Sequence, residues 1–128
     1  TFGTNERYPM SQLQKDFNTA WTKITQQGRP SVDESGSCLY NGPNGLRCAF
    51  SHLLTDKERE NISEGASVDS LYRDSILPDR FSDQRGFYQL LQETHDDASN
   101  PYRNNFLPEF HRHMRNLAHR YNLEVPHE

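Results

Sequence analysis

The stretch 29–56, RPSVDESGSCLYNGPNGLRCAFSHLLTD, constrains what this chain can fold into more than any other part of it. It holds both cysteines, and two short runs with apolar residues flank a turn sequence, Asn-Gly-Pro-Asn-Gly, at 41–45. Glycine and asparagine tolerate left-handed backbone and proline fixes its φ angle, which are the properties that a hairpin turn needs. The pattern therefore predicts a small β-hairpin near residues 38–48, with Cys38 opposite Cys48.

Amphipathic periodicity before this stretch predicts a helix that ends at about Gln27. Its apolar residues recur three and four positions apart, and they are Leu13, Phe17, Ala20, Trp21 and Ile24. Ser11 has the side chain of a good N-cap, and Gly28 stands where a left-handed residue commonly ends a helix.

Shorter periodic runs predict further helices after the hairpin. Thr55 and Glu58 have the spacing of a capping box, in which each side chain bonds to the other residue's backbone amide. Ser67 is predicted to cap a short helix that buries Ile76 among its apolar residues.

Two longer helices are predicted in the second half, over residues 86–97 and 105–121, with Asn122 as a left-handed cap. The expected fold is mainly α (α+β), with about five helices and one small β-hairpin near residues 38–48. We expect a single domain over residues 1–128, in which 1–10 form an irregular N-terminal arm.

Composition narrows the classes of partner. The formal net charge is −4, which disfavours nucleic acid, since phosphate binding needs basic surface. No apolar stretch approaches the roughly 18 residues of a membrane-spanning helix, so no membrane partner is expected. Two cysteines in a chain without a recognisable signal peptide favour a cytoplasmic protein with reduced thiols.

Three interpretations of the cysteines are open. They are two small buried thiols, a structural disulfide across the hairpin, or part of a zinc site formed by Cys38, Cys48 and His52 with His95 as a fourth ligand. The ligand spacing lacks the closely spaced pairs of a zinc knuckle, so buried thiols are favoured. No metal and no cofactor are predicted.

His95 and Asp96 form the other group with possible chemistry. Adjacent His and Asp resemble the metal phosphohydrolases named for an HD pair, which need another histidine upstream and an aspartate downstream. The sole upstream histidine here is His52, and no aspartate follows Asp97. We therefore favour a histidine at a helix end, interacting with the helix dipole, and a polar contact patch.

Two surfaces are candidates for contact with a partner. They are the hairpin tip and the basic face of the last helix, which also carries Arg120. With the His-Asp pair, the predicted binding residues are Asn41, Asn44, Arg47, His95, Asp96, Arg112 and Arg115.

The residues GRPSVD at 28–33, CLY at 38–40 and GPNGLRCA at 42–49 resemble a signature of small uncharacterised proteins of phages and bacteria. The resemblance extends to His95-Asp96 and to the last helix, and it implies an accessory protein that acts on a host component, such as a phage-encoded inhibitor of a bacterial defence system. The chain is small and acidic and its sequence shows no complete catalytic set, so the expected function is non-enzymatic binding of a host or bacterial protein.

Two other functions remain as alternatives. One is a small metal-dependent hydrolase or nucleotide-binding protein that uses His52, His95 and Asp96. The other is a structural or assembly factor, which would form a homo-oligomer.

Overall fold

The computed structural model describes residues 11–100 and 102–126. The helices of this part of the chain are α1 (Gln12–Gln27), α2 (Asp56–Glu60), α3 (Val68–Arg73), α4 (Arg85–Ala98) and α5 (Phe106–Tyr121), with 3-10 turns at Pro43–Gly45, Ser51–Leu53 and Asp79–Gln84. The mainly α class is thereby confirmed, while the predicted arm at 1–10 lies outside the described residues. None of these helices combines the length and the apolar character needed to cross a bilayer.

The ends of the helices follow their capping signals. Ser11 Oγ accepts a hydrogen bond from Gln14 N at 3.1 Å at the start of α1, and Gly28 ends that helix with a φ of 79°. Both bonds of the capping box at Thr55 are formed. Asn122 ends α5 in left-handed backbone with a φ of 56°. The predictions at these positions are confirmed.

The predicted hairpin is wrong. The described residues contain no strand, and one isolated antiparallel bridge joins Val32 to Cys38, so Cys38 does not pair with Cys48. Gly42 N donates to Leu46 O at 2.8 Å, which closes the turn, but the chain on either side of it does not continue as paired strands.

Side chains from elsewhere in the fold provide the hydrogen bonds that a second strand would have provided. Gln27 Nε2 donates to Arg47 O at 3.0 Å and Gln27 Oε1 accepts from Arg47 N at 3.0 Å. Glu64 accepts from Tyr40 N at 2.7 Å and from Asn41 N at 2.9 Å. Because these side chains already bond to the backbone N–H and C=O groups, the groups need no partners on a neighbouring strand. The strand-like runs therefore do not form a sheet.

We call residues 29–50 the clamped loop, because side chains of α1, α4 and the α2–α3 connection hold its backbone. From α4, His95 accepts from Ser31 N and Gln92 accepts from Phe50 N. The loop thereby covers one side of α4.

The core is built largely from aromatic rings. Edge-to-face pairs join Phe50, Phe81, Phe87 and Tyr88, with ring centroids 4.8–5.9 Å apart. Such rings bury a large area for each residue, so a chain with 32% hydrophobic residues still forms a core. The prediction that Ile76 is buried is wrong: its exposed fraction is 42%, because α3 ends at Arg73 and Ile76 lies beyond it.

Candidate functional site

His95, near the end of α4, is completely buried and makes hydrogen bonds through both ring nitrogens. Its Nε2 lies 3.0 Å from Ser31 N, and its Nδ1 lies 3.0 Å from Asp96 Oδ1. Since a backbone amide only donates, Nε2 must be the acceptor, and the ring proton of neutral His95 is on Nδ1. His95 therefore donates to the Asp96 carboxylate and accepts from the clamped loop.

A second buried side chain orients the same carboxylate. Gln92 Nε2 donates to Asp96 Oδ1 at 2.8 Å, and Gln92 Oε1 accepts from Phe50 N at 3.2 Å. The Asp96 side chain is 36% exposed, while His95 beneath it is 0% exposed. Asp96 is thus a surface carboxylate held by buried donors.

The thiol of Cys38 completes the cluster. Its Sγ, a ring nitrogen of His95 and a carboxylate oxygen of Asp96 all lie within 4.8 Å of one another. Burial, the charge of Asp96 and a hydrogen bond to that carboxylate raise the pKa of the Cys38 thiol to about 12. Because the thiolate is the nucleophilic form, Cys38 is not an activated nucleophile at neutral pH.

The same three residues offer the kinds of ligand that zinc binds, but their hydrogen bonds do not fit a metal. If His95 Nδ1 bound a metal ion, the ring proton would move to Nε2. Two N–H groups would then face each other across the 3.0 Å between Nε2 and Ser31 N. The cluster in the described part of the chain therefore fits a hydrogen-bonded network around the Asp96 carboxylate better than a metal centre.

The predicted metal candidates Cys48 and His52 are not members of this cluster. His52 Nε2 contacts Gln27 Oε1 at 3.1 Å, and burial with nearby cations lowers its pKa to about 4. Cys48 is completely buried, and burial raises the pKa of its thiol. Both cysteines are free thiols.

A cleft of about 420 Å³ opens beside the carboxylate of Asp96, and we call it the Asp96 cleft. Its described lining residues are Ser37, Cys38, Tyr40, Gly65, Ala66, Ser67, Gln89, Gln92 and Asp96. No lysine or arginine is among them, and Asp96 is the one carboxylate. Among these lining residues, the sequence singled out Asp96 and Cys38 but not Gln89 or Gln92. The only sequence signal for the two glutamines is that they lie about one helical turn from other polar residues of α4.

The residues predicted at the hairpin tip lie in the clamped loop and differ in exposure. Asn41 is exposed, and its Nδ2 donates to Arg59 O at 3.0 Å. Asn44 is exposed at the turn, with a φ of 58°. Arg47 is half-buried, and its guanidinium donates to Leu46 O. The tip of the loop therefore presents Asn41 and Asn44 to solvent more than it presents Arg47.

The predicted basic face of α5 is exposed but partly neutralised. Arg112 forms two hydrogen bonds with the Glu109 carboxylate, of which the shorter is 2.7 Å. Arg115 is exposed. Arg120 lines a groove between α4 and α5 opposite Glu93 and is exposed as well.

Comparison of the chain with models of protein families, with curated proteins and with solved structures finds no match.

Proposed function

We propose that this protein is a non-enzymatic, protein-binding accessory domain that contacts its partner through the tip of the clamped loop. One observation carries the proposal: the loop has no sheet, yet side chains of three separate elements hold its backbone. Gln27, Glu64 and His95 each bond to main-chain groups of the loop. A simple connection between two helices does not need that degree of order.

Order of this kind favours recognition, because binding to a flexible loop costs the entropy of ordering it. At the exposed tip, Asn41 N donates to Glu64 at 2.9 Å and Gly42 N donates to Leu46 O at 2.8 Å, so the backbone on both sides of Asn44 is hydrogen-bonded before any partner arrives. Rigid scaffolds that carry exposed polar loops are a common arrangement for binding sites.

The state of the most reactive side chains also supports binding over catalysis. The Cys38 thiol is protonated at neutral pH, since its pKa is raised to about 12. His95 Nε2 already accepts the amide of Ser31, so it is not free to take a proton from a substrate.

The class of partner is a host or bacterial protein. This part of the proposal depends on the resemblance of 28–33, 38–40 and 42–49 to small phage and bacterial proteins, which is consistent with a phage-encoded inhibitor or modulator acting in the bacterial cytoplasm.

A pair of matched variants tests the loop tip. Asn44→Gly removes the exposed side chain while glycine keeps the left-handed backbone, so the fold is retained. Asn122→Gly makes the same change at another left-handed asparagine, at the end of α5. In affinity capture from bacterial lysate followed by mass spectrometry, we expect a stoichiometric partner with the wild type and with Asn122→Gly, and a loss of about tenfold in affinity with Asn44→Gly.

Two results would contradict the proposal. One is the absence of any stoichiometric partner, and the other is equal capture by both variants. Capture of further copies of this chain alone, with a defined oligomer in light scattering, would favour the assembly factor instead.

A further inference from the structure

We propose that the Asp96 cleft binds a cationic side chain of the guanidinium class, presented by the partner protein. The inference rests on the proposed function for the source of the side chain, whereas the charge and the acceptors of the cleft do not depend on it.

The charge of the cleft selects a cation. Asp96 is the one carboxylate among the described lining residues, and none of them is basic. The two other titratable lining groups, Cys38 and Tyr40, have raised pKa values because they are buried, so they stay neutral and protonated. An anionic ligand would find no compensating charge there, whereas a cation would find a carboxylate with a hydrogen-bonding wall around it.

The Asp96 carboxylate has an oxygen that can accept hydrogen bonds from a ligand. The bonds from Gln92 Nε2 and His95 Nδ1 both end on Oδ1. Oδ2 therefore keeps lone pairs for the donors of a ligand, and the Asp96 side chain is 36% exposed. The buried donors hold the carboxylate in place before binding, so orienting it costs the complex little.

The other acceptors favour a guanidinium over a compact ammonium. Ala66 O accepts one bond, from Tyr40 Oη, and a carbonyl oxygen has a second lone pair. Two further lining residues, Gln89 and Ser67, carry acceptors that each already accept one amide, from Asp69 N and Ser70 N at 3.0 Å, and that each keep a second lone pair. A planar fork with five N–H donors reaches acceptors spread around a cleft of about 420 Å³, whereas an ammonium offers three donors from a single point.

The test uses free ligands and the whole chain. The probe is N-acetylarginine methylamide, and its control is the citrulline analogue, which has the same shape without the charge. Amide chemical shifts in NMR titration should move for Gly65, Gln92 and Asp96, with a dissociation constant on the order of 1 mM, as expected for a single side chain. The citrulline analogue should bind about tenfold more weakly.

Two charge variants locate the binding site. Ser37 is exposed at the rim of the cleft, and Ser37→Lys adds a positive charge there without changing a buried group. Thr22→Lys adds the same charge at an exposed position of α1 that does not line the cleft. We expect Ser37→Lys to weaken binding of the arginine probe about tenfold and Thr22→Lys to leave it unchanged.

Equal binding of the arginine and citrulline probes would overturn the inference, as would wild-type affinity in Ser37→Lys or an absence of shifts around Asp96. These results are separate from those of the loop-tip experiment. A captured partner that depends on Asn44, together with no arginine binding, refutes only the cleft inference. Arginine binding without any captured partner refutes only the proposed function.

Discussion

His95 shows how the surroundings of one residue decide its chemistry. In the sequence, an adjacent His and Asp suggest a metal or catalytic pair. In the fold, the ring lies between a backbone donor at Ser31 and a carboxylate acceptor at Asp96, which fixes its proton on Nδ1. The expected role as a helix-end histidine was correct in position, since His95 lies in the last turn of α4, but its main interactions are hydrogen bonds across the fold.

His52 predicts a pH dependence at the residue scale. Burial first, and then the charges of Arg59 and Lys23, lower its pKa from 6.5 to about 4. Between these pH values, His52 is therefore protonated in the unfolded chain but not in the folded chain. The stability contribution is complete above about pH 6.5 and is lost as the pH falls toward 4.

Between about pH 7 and pH 4.5, we expect the free energy of unfolding of the wild type to fall by about 2 kcal/mol more than that of His52→Gln. This value already includes a reduction for the partial exposure of the His52 ring. Urea denaturation at each pH measures the difference. Over this range Glu58 contributes little, because the Arg80 guanidinium lowers its pKa from 4.5 to about 2, and the stability that this gives is lost only as the pH falls below about 4.5. A His52→Gln curve parallel to that of the wild type would refute the expectation.

At the element scale, local signals were sufficient for the helices. The N-caps at Ser11, Thr55 and Ser67 all form the bonds that their sequences predict. Capping depends on residues three positions apart, so distant parts of the chain have little influence on it.

Two glycines near helix ends give opposite predictions. Gly28 ends α1 with a φ of 79°, so Gly28→Ala forces a side chain into left-handed backbone and should cost about 1 kcal/mol. Gly86 lies in the first turn of α4, where a Cβ would make an ordinary 3.6 Å contact with Tyr121 Oη. Gly86→Ala should therefore stabilise the fold by about 0.5 kcal/mol. Thermal unfolding of both variants gives the signs, and equal signs would contradict this account.

For the molecule as a whole, the clamped loop makes the connection between α1 and α2 part of the folded core. Glu64, on the α2–α3 connection, holds two consecutive loop amides with one carboxylate. The loop therefore depends on side chains that lie far from it along the chain.

Hydrogen exchange tests this dependence. Glu64→Ala removes the acceptor for the amides of Tyr40 and Asn41, and their exchange should accelerate about tenfold, while amides in the middle of α5 keep their rates. Glu60→Ala, at an exposed position on α2, is the control and should change neither set. Unchanged protection of Tyr40 and Asn41 in Glu64→Ala would show that Glu64 does not hold the loop.

The sequence by itself determined the helices, their caps and the mainly α class, because each depends on periodicity and on neighbours within one or two turns. It also pointed to His95 with Asp96, and separately to Cys38 with Cys48 and His52, as residues with possible chemistry, but it did not bring Cys38 and Asp96 together. Only the tertiary structure decided that 29–50 is a clamped loop instead of a hairpin, and that Asp96 lies at the wall of a cleft. The reason is separation along the chain. Gln27, which bonds to the backbone of Arg47, is 20 residues from it, and His95, which bonds to the backbone of Ser31, is 64 residues from it. A strand-like run with no strand beside it adopts a conformation in which its backbone N–H and C=O groups find other hydrogen-bond partners. Here the partners are side chains that lie close to the loop only in the folded chain.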